Sequence, residues 1–268
     1  MISAQTAITR LRRDLTLGSL VKWLLLAGVA FSMVIETVLD QKVISGSMAL
    51  AAVAVVWVLL SYRSMKSTRM AAQSSSLIAA GDYEQAEEHI DQALRGFSLF
   101  RAVKLRSLHH LAVLRHAQRR WGEAVMLCRE LLGQRLGMLA GLIRSAQLIL
   151  ADSLLELGDV RGAYTAISGL YQQRLSLAEA LELIAVQVDY LWRVDAWQEM
   201  MAGASHKVQM AELMPPPKAA RTEALLALAA RKTGHADWER WLMRRVELLA
   251  DGKDLVRIRP VLAELWPG

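Results

Sequence analysis

The chain has 268 residues, 54% of them hydrophobic, and a formal net charge of +6 at pH 7. A mean hydropathy of +0.24 is high for a chain that lies wholly in water, so we expect part of it to contact lipid. The single Cys128 excludes an intramolecular disulfide. Scarce proline and few alternating apolar runs outside the N-terminal third predict an all-α fold.

Residues 1–19 form a basic N-terminal segment with Ile8, Leu11 and Leu15 on one helical face. Two interpretations fit this pattern equally well. The segment is either a short helix in the lipid headgroup region or a frayed basic tail.

Residues 20–62 contain two apolar runs that predict transmembrane helices at about residues 21–39 and 46–62. A short polar turn at residues 40–42 separates them. Glu36 lies close to this turn, where we expect exposure at the interface, although a cation in another subunit could also pair with it. The absence of a small-residue cleavage site after the first run disfavours a signal peptide.

Basic residues flank both outer ends of the predicted hairpin, before the first run and after the second: Arg10, Arg12, Arg13, Lys22, Arg63, Lys66 and Arg69. This asymmetry predicts a multi-pass protein of the inner (cytoplasmic) membrane with both termini in the cytoplasm. It also accounts for much of the net charge. With no aromatic-basic or zinc-finger motif present, we expect no nucleic-acid binding. Because the chain from Tyr62 to Ala80 lacks Pro and Gly, we expect the second apolar helix to continue into the first repeat.

A turn followed by a helix begins at Gly81 and recurs downstream. Its small residue is Ala86 in the first copy, Ala124 in the second and Ala163 in the third. The copies share a period of about 38 residues, and a fixed period of this size indicates an array of helix pairs. Cys128 falls at a repeat position that we expect to be buried.

These copies resemble the second half of the tetratricopeptide (TPR) repeat, and Leu108-x2-Leu111-Ala112 and Gln147-x2-Leu150-Ala151 resemble its first half. The period exceeds the family's usual length of about 34 residues, and the closing proline is missing. The resemblance implies that residues 63–268 form a TPR-like α-solenoid of about four to five helix pairs, and another array of helical hairpins is the alternative.

Two weaker pairs and a cap complete the predicted array. Trp197 opens the second helix of the fourth pair, Ala219–Lys232 and Trp238–Leu249 form the fifth, and residues 251–268 cover the exposed end.

In the TPR family the first helix of each repeat lines a concave groove. Carried over by position, the resemblance implies a groove that is basic near the membrane and acidic in its middle, suited to a partner with basic and apolar side chains. The groove residues that we select are Arg106, His109, His116, Asp152, Glu156, Glu182, Asp189, Trp192 and Arg193.

No nucleotide-binding, metalloprotease, haem-attachment or hydrolase motif is present in the sequence. His109 and His116 share a helical face, but two helical turns separate them, about 10 Å along the axis, which is too far for one metal ion. We therefore expect neither an enzyme nor a cofactor or metal.

The sequence predicts a membrane-anchored TPR-like scaffold or adaptor that binds a protein partner at the cytoplasmic membrane face. The alternative is an accessory or assembly subunit of an integral membrane complex that docks through its transmembrane hairpin. The partners implied are a protein and the lipid bilayer, and a homo-oligomer is compatible with either function.

Overall fold

The computed structural model describes residues 2–38, 46–96, 98, 101–134 and 139–266. The side chains of residues 31–38, 46–50, 60, 63, 64, 66 and 67 also lie outside the description. Every regular element in the described residues is a helix, which confirms the predicted all-α class.

The helices in chain order are α1 (Ala4–Val38), α2 (Gly46–Ala80), α3 (Tyr83–Arg95), α4 (Arg101–Ala117), α5 (Trp121–Leu132), α6 (Ala140–Glu156), α7 (Val160–Ser168), α8 (Leu177–Arg193), α9 (Trp197–Met201), α10 (Ala204–Ala211), α11 (Pro216–Lys232), α12 (Ala236–Leu249), α13 (Gly252–Ile258) and the 3-10 helix η1 (Pro260–Glu264). The continuous helix α2 confirms that the second apolar run leads directly into the first helix pair.

The same tight turn occurs five times between consecutive helices, each time with one residue in the left-handed region. These residues are Gly81, Arg119, Gly158, Asp195 and Gly234, with φ of 81°, 60°, 79°, 55° and 78°. Successive copies therefore keep the sequence period of about 38 residues. In every copy the next residue donates its backbone N–H to the carbonyl five residues earlier, as Asp82 does to Leu77 at 3.0 Å. This hydrogen bond closes the preceding helix and reverses the chain.

The small residues predicted to let helices approach closely are fully buried. Ala86, Ala124 and Ala163 are each 0% exposed, and Met200 occupies the corresponding place in the fourth pair. Cys128 is also buried, as predicted, and burial raises the pKa of its thiol to about 12. The sequence period and the buried positions therefore agree.

The described chain divides into two compact units, residues 1–149 and residues 150–268. In unit 1 the core joins the first part of α1, the second half of α2 and helices α3 to α5. Leu11 of α1, Ile90 of α3 and Leu108 of α4 are each at most 1% exposed.

Residues 1–19 do not behave as the sequence predicted. Ile8 and Leu11 are buried in the protein core rather than in lipid headgroups or a frayed tail. Arg10 pairs with Asp91 at 2.8 Å, and Arg12 pairs with Glu130 at 2.6 Å. The apolar face and the basic residues thus serve as contacts to α3 and α5.

Unit 2 is built around α8, α11 and α12. Leu191, Leu225 and Val246 share one apolar cluster, and the C-terminal tail adds Leu262 and Leu265 to it. Pro216 and Pro217 begin α11, where their missing N–H groups cost nothing.

Within the part of the chain that the structure describes, no helix is both long enough and apolar enough to cross a membrane. Glu36, the turn at 40–42 and the second half of the first predicted span have side chains outside the described residues.

Candidate partner-binding surfaces

The nine predicted groove residues fall in both units. Arg106, His109 and His116 lie on α4 in unit 1. The remaining six, Asp152, Glu156, Glu182, Asp189, Trp192 and Arg193, lie on α6 and α8 in unit 2. A single groove that joins the two sets stays a prediction, so each set is described by itself.

The unit 1 set offers little positive charge. Arg106 is exposed, whereas His109 is largely buried and its Nε2 lies 2.9 Å from Ser145 Oγ. Burial, with smaller effects of His110 and Arg106, lowers the pKa of His109 to about 4. His109 is therefore neutral at pH 7, which leaves Arg106 as the cation that this part of α4 presents to solvent.

His116 makes an aromatic contact and remains partly exposed. Its ring meets that of Trp121 edge to face, with centroids 5.0 Å apart. Trp121 begins α5, so this contact holds the two helices of the second pair together.

The unit 2 set contains an acidic cluster, defined here as Asp152, Glu156 and Asp189. One carboxylate oxygen from each lies within 4.8 Å of the others. Three carboxylates this close repel one another unless positive charge lies between them.

Arg259 of the C-terminal tail supplies that charge. Its Nη2 and Nε donate to the two oxygens of Asp189 at 2.7 and 3.2 Å, and its Nη1 donates to Glu156 at 3.2 Å. Asp189 is completely buried beneath it. Burial alone would lower the pKa of Arg259, but the bonds to Asp189 and Glu156 outweigh that effect and raise it. The two-pronged pairing holds the tail on α6 and α8.

Arg193 completes the cluster from α8. Its Nη2 lies 3.6 Å from Glu156 Oε1, and its guanidinium carbon lies 4.9 Å from the centroid of the Trp192 ring. The indole Nε1 of Trp192 and the Nε of Arg193 are both buried and make no hydrogen bond within the described residues. Trp192 is thus partly covered by Arg193, with only a part of the indole open to solvent.

The acidic cluster does not fit a metal centre. Two of its three carboxylates, those of Glu156 and Asp189, pair with the guanidinium groups of Arg193 and Arg259, and the five groups together have a formal charge of −1. A divalent ion would have to displace Arg259 from Asp189, leaving a buried guanidinium without its partner. The donor set is better described as a network of ion pairs.

Glu182 differs from the acidic cluster because it remains accessible. It lies at the start of α8, pairs with Lys218 of α11, and its side chain is 48% exposed. It is the acidic groove residue that solvent reaches most easily in the described part of unit 2.

The structure adds a tyrosine patch that the sequence reasoning missed. Tyr164 of α7 stacks on Tyr190 of α8 with ring centroids 5.6 Å apart, and Tyr171 lies close enough for both to raise its pKa, although burial is the larger cause. Tyr164 and Tyr171 are each more than half exposed. Exposed tyrosines are common in protein interfaces.

A second missed cluster fixes the N-terminal segment of unit 1. Arg115 is fully buried, donates to both oxygens of Glu87 at 2.9 and 3.1 Å, and donates to the carbonyl of Ile2. Glu87 accepts the backbone N–H of Ile2 at 2.7 Å. The Arg115 hydrogen bonds are the main cause that lowers the pKa of Glu87. No local motif signals this cluster, because its members are far apart in sequence.

No known protein family, curated protein or solved structure matches this chain.

Proposed function

We propose that this protein is a membrane-anchored helical-repeat adaptor of the TPR type that holds a protein partner at the cytoplasmic face of an inner membrane. One observation carries the proposal: the described part of α1 that follows the core of unit 1 and the described part of α2 that precedes it both expose apolar side chains.

The apolar side chains of α2 are exposed on every side of the helix. Residues 55–59 are five consecutive apolar residues, and each is at least 42% exposed. At about 100° per residue they cover the whole helical circumference. A protein partner covers one side of a helix, whereas lipid surrounds it, so this distribution favours lipid.

The corresponding part of α1 is equally apolar. Leu20, Trp23, Leu24 and Leu26 are each at least 56% exposed. From Leu17 to its end at Val38, α1 has about 22 residues, which span about 33 Å. That length matches the hydrocarbon core of a bilayer, about 30 Å.

Both ends of the apolar hairpin belong to unit 1. Leu11 before it and Ala71 after it are each 1% exposed in the same core. Two ends that pack together must lie on one side of a bilayer, so the chain crosses it an even number of times. The basic residues beside both ends favour the cytoplasmic side.

The five equivalent turns support the TPR-type array. They recur with the same left-handed residue and the same hydrogen bond, at the period seen in the sequence. Arrays of this kind bind partners through side chains repeated along one face. Arg106 and Glu182 are the exposed charged candidates on the first helices of their pairs, and the role needs no catalytic group.

A second candidate function is that of an accessory subunit that docks through the hairpin. The exposed small residues Ala27, Gly28 and Ala30 of α1 and Ala52 and Ala54 of α2 favour it. Small residues allow the helices of two membrane proteins to approach closely.

Membrane extraction tests the anchor. We expect the protein to stay in the membrane pellet after alkaline carbonate and high salt, and to be released by detergent. Release by carbonate would contradict the proposal, because an integral anchor does not depend on charge. Protease accessibility in inverted vesicles tests whether unit 1 faces the cytoplasm.

Partner capture from detergent extracts separates the two functions. Exchange of residues 20–62 for an unrelated two-helix anchor leaves the captured proteins unchanged if the repeats bind the partner, and abolishes capture if the hairpin does. Glu182→Arg tests the first-helix surface, and Glu199→Arg is the matched control, because it makes the same charge change at an exposed residue of α9, the second helix of that pair. If both variants retain the same partners, the predicted groove in unit 2 is not the binding surface.

A further inference from the structure

A small basic cavity of about 220 Å³ lies in unit 1, between α1 and the beginning of α4. Gly18, Ser19 and Lys22 line it from α1, and Arg101 and Lys104 line it from α4. Its position is the point at which α1 leaves the core and its apolar side chains become exposed.

Two of the three cations in the wall have no carboxylate partner within the described residues. Lys104 is fully buried, pairs with Asp14 at 2.8 Å and donates to the carbonyl of Leu94 at 2.6 Å. Lys22 and Arg101 form no ion pair in the described part of the chain. The charges lining the cavity sum to +3 − 1 = +2.

Arg101 has an unused donor. Its Nη2 donates to Gln134 at 2.9 Å, but its Nε is buried and makes no hydrogen bond within the described residues. A buried charged N–H is costly without an acceptor, so this donor favours the binding of an acceptor. Arg101 Nε on α4, with Lys22 and the Ser19 hydroxyl on α1, offers donors from two helices to one anion.

The size of the cavity limits the anion. Its volume is below the range of about 300 to 1,000 Å³ typical of sites for drug-sized ligands. A phosphate group with its attached glycerol carbons is a suitable size, and a nucleotide is too large. The chemistry that the cavity recognises is that of a phosphate ester.

The surroundings decide between a lipid phosphate and a free one. Leu17, Leu20 and Trp23 follow the cavity along α1 and are 45%, 56% and 71% exposed. Apolar side chains beside a phosphate site provide a path for acyl chains, and tryptophan is enriched at the membrane interface. Free phosphate has no apolar part that could contact such a surface.

We propose that this cavity binds the phosphate of an anionic phospholipid, with Arg101 Nε and Lys22 Nζ as donors and the acyl chains lying along α1. The inference rests on the proposed membrane anchor. It adds a specific lipid site that fixes the depth of the anchor and links the hairpin to α4 through one headgroup.

The test uses the full chain in neutral detergent, with thermal stability and calorimetric affinity measured against phosphatidylglycerol, phosphatidylcholine and inorganic phosphate. We expect phosphatidylglycerol to bind and stabilise the protein, with the other two having little effect. Lys22→Gln, which changes an exposed side chain, and Arg101→Gln should each weaken phosphatidylglycerol binding about tenfold, equivalent to about 1.4 kcal/mol. Arg106→Gln is the matched control, because it removes an exposed cation of α4 that does not line the cavity.

Equal binding of the two lipids would overturn the proposal, as would unchanged phosphatidylglycerol binding by both Gln variants. Cavity-dependent binding of inorganic phosphate without lipid preference would identify a free phosphate site instead. Failure of the anchor is distinguishable, because the protein would then not insert into phosphatidylcholine vesicles at all. Insertion into those vesicles without preference for phosphatidylglycerol defeats the lipid site alone.

Discussion

Single residues with left-handed backbone close the five equivalent turns of the described chain. Glycine occupies three of these positions, where it carries no steric penalty, and Arg119 and Asp195 occupy the other two. The penalty is greatest for Arg119, since aspartate tolerates this region better than arginine. The stability of the array therefore depends in part on which residue ends each first helix.

Replacing Arg119 with glycine should stabilise unit 1 by about 0.5 to 1 kcal/mol, because relief of the left-handed strain exceeds the extra entropy of glycine in the unfolded chain. Gly158→Ala is the converse. It should destabilise its turn by about 1 kcal/mol, although a Cβ there meets no atom within 4 Å. Urea unfolding in detergent measures the free energy of unfolding of both variants. The prediction requires that it increases for Arg119→Gly and decreases for Gly158→Ala.

His109 should make unit 1 sensitive to acid. Its pKa is lowered to about 4 in the fold, against about 6.5 when unfolded. The unfolded chain therefore binds the proton more readily than the folded chain. The free energy of unfolding is unaffected by His109 above pH 6.5 and decreases as the pH falls from 6.5 towards 4. We expect a loss of about 2 kcal/mol between pH 7.5 and pH 5. His109→Gln should flatten this dependence in urea unfolding at the two pH values, and an unchanged slope would assign the acid sensitivity to another group.

At the scale of elements, α1 is one helix in two environments. Its first part packs on α3, α4 and α5, and its later part exposes apolar residues between Leu17 and Leu26. The apolar face formed by Ile8, Leu11 and Leu15 has the same pattern whether it meets lipid or protein. The sequence therefore predicted the helix but not its surroundings.

The C-terminal tail is the second element whose place could not be read locally. Arg259 pairs with Asp189, which is 70 residues away in sequence. Asp189 and Glu156 were selected as groove residues by their repeat positions, yet no period relates a tail residue to them. Their acidity was predictable, and the arginine that neutralises them was not.

Removal of Arg259 should be strongly destabilising. Arg259→Met leaves the buried carboxylate of Asp189 without its cation, and breaking such a pair costs about 3 to 5 kcal/mol. Arg257→Met is the control on the same tail, because its 78% exposed side chain pairs only at the surface with Asp254 and is worth less than about 1 kcal/mol. Urea unfolding of the two variants should differ by several kcal/mol, and similar values would mean that water solvates Asp189.

At the scale of the whole molecule, the periodic features were the predictable ones. The positions of Ala86, Ala124 and Ala163 indicated the helix pairs and their buried faces, because small residues at a fixed spacing reflect repeated helix contacts. Contacts over long sequence separations, such as Arg115 with Ile2, follow no period. They required the folded structure.

Replacing residues 20–62 with a flexible Gly/Ser linker should convert the protein into a water-soluble one. The core of unit 1 uses α1 before Leu17 and α2 near Ala71, so the apolar hairpin contributes little to it. We expect the variant to remain helical by circular dichroism and monodisperse without detergent. Aggregation of this variant would show that the hairpin covers part of the helical units.

The pairing of Arg12 with Glu130 spans 118 residues of chain. During synthesis, the first part of α1 therefore cannot complete its contacts until α5 has left the ribosome, and by then the apolar hairpin has long been available to the insertion machinery. In the proposed topology, lipid insertion precedes completion of the core of unit 1, and the contacts between the N-terminal arm and α5 form late. In that topology, a ribosome that stalls before α5 would leave the hairpin in the bilayer while Arg12 still lacks Glu130, its partner on α5.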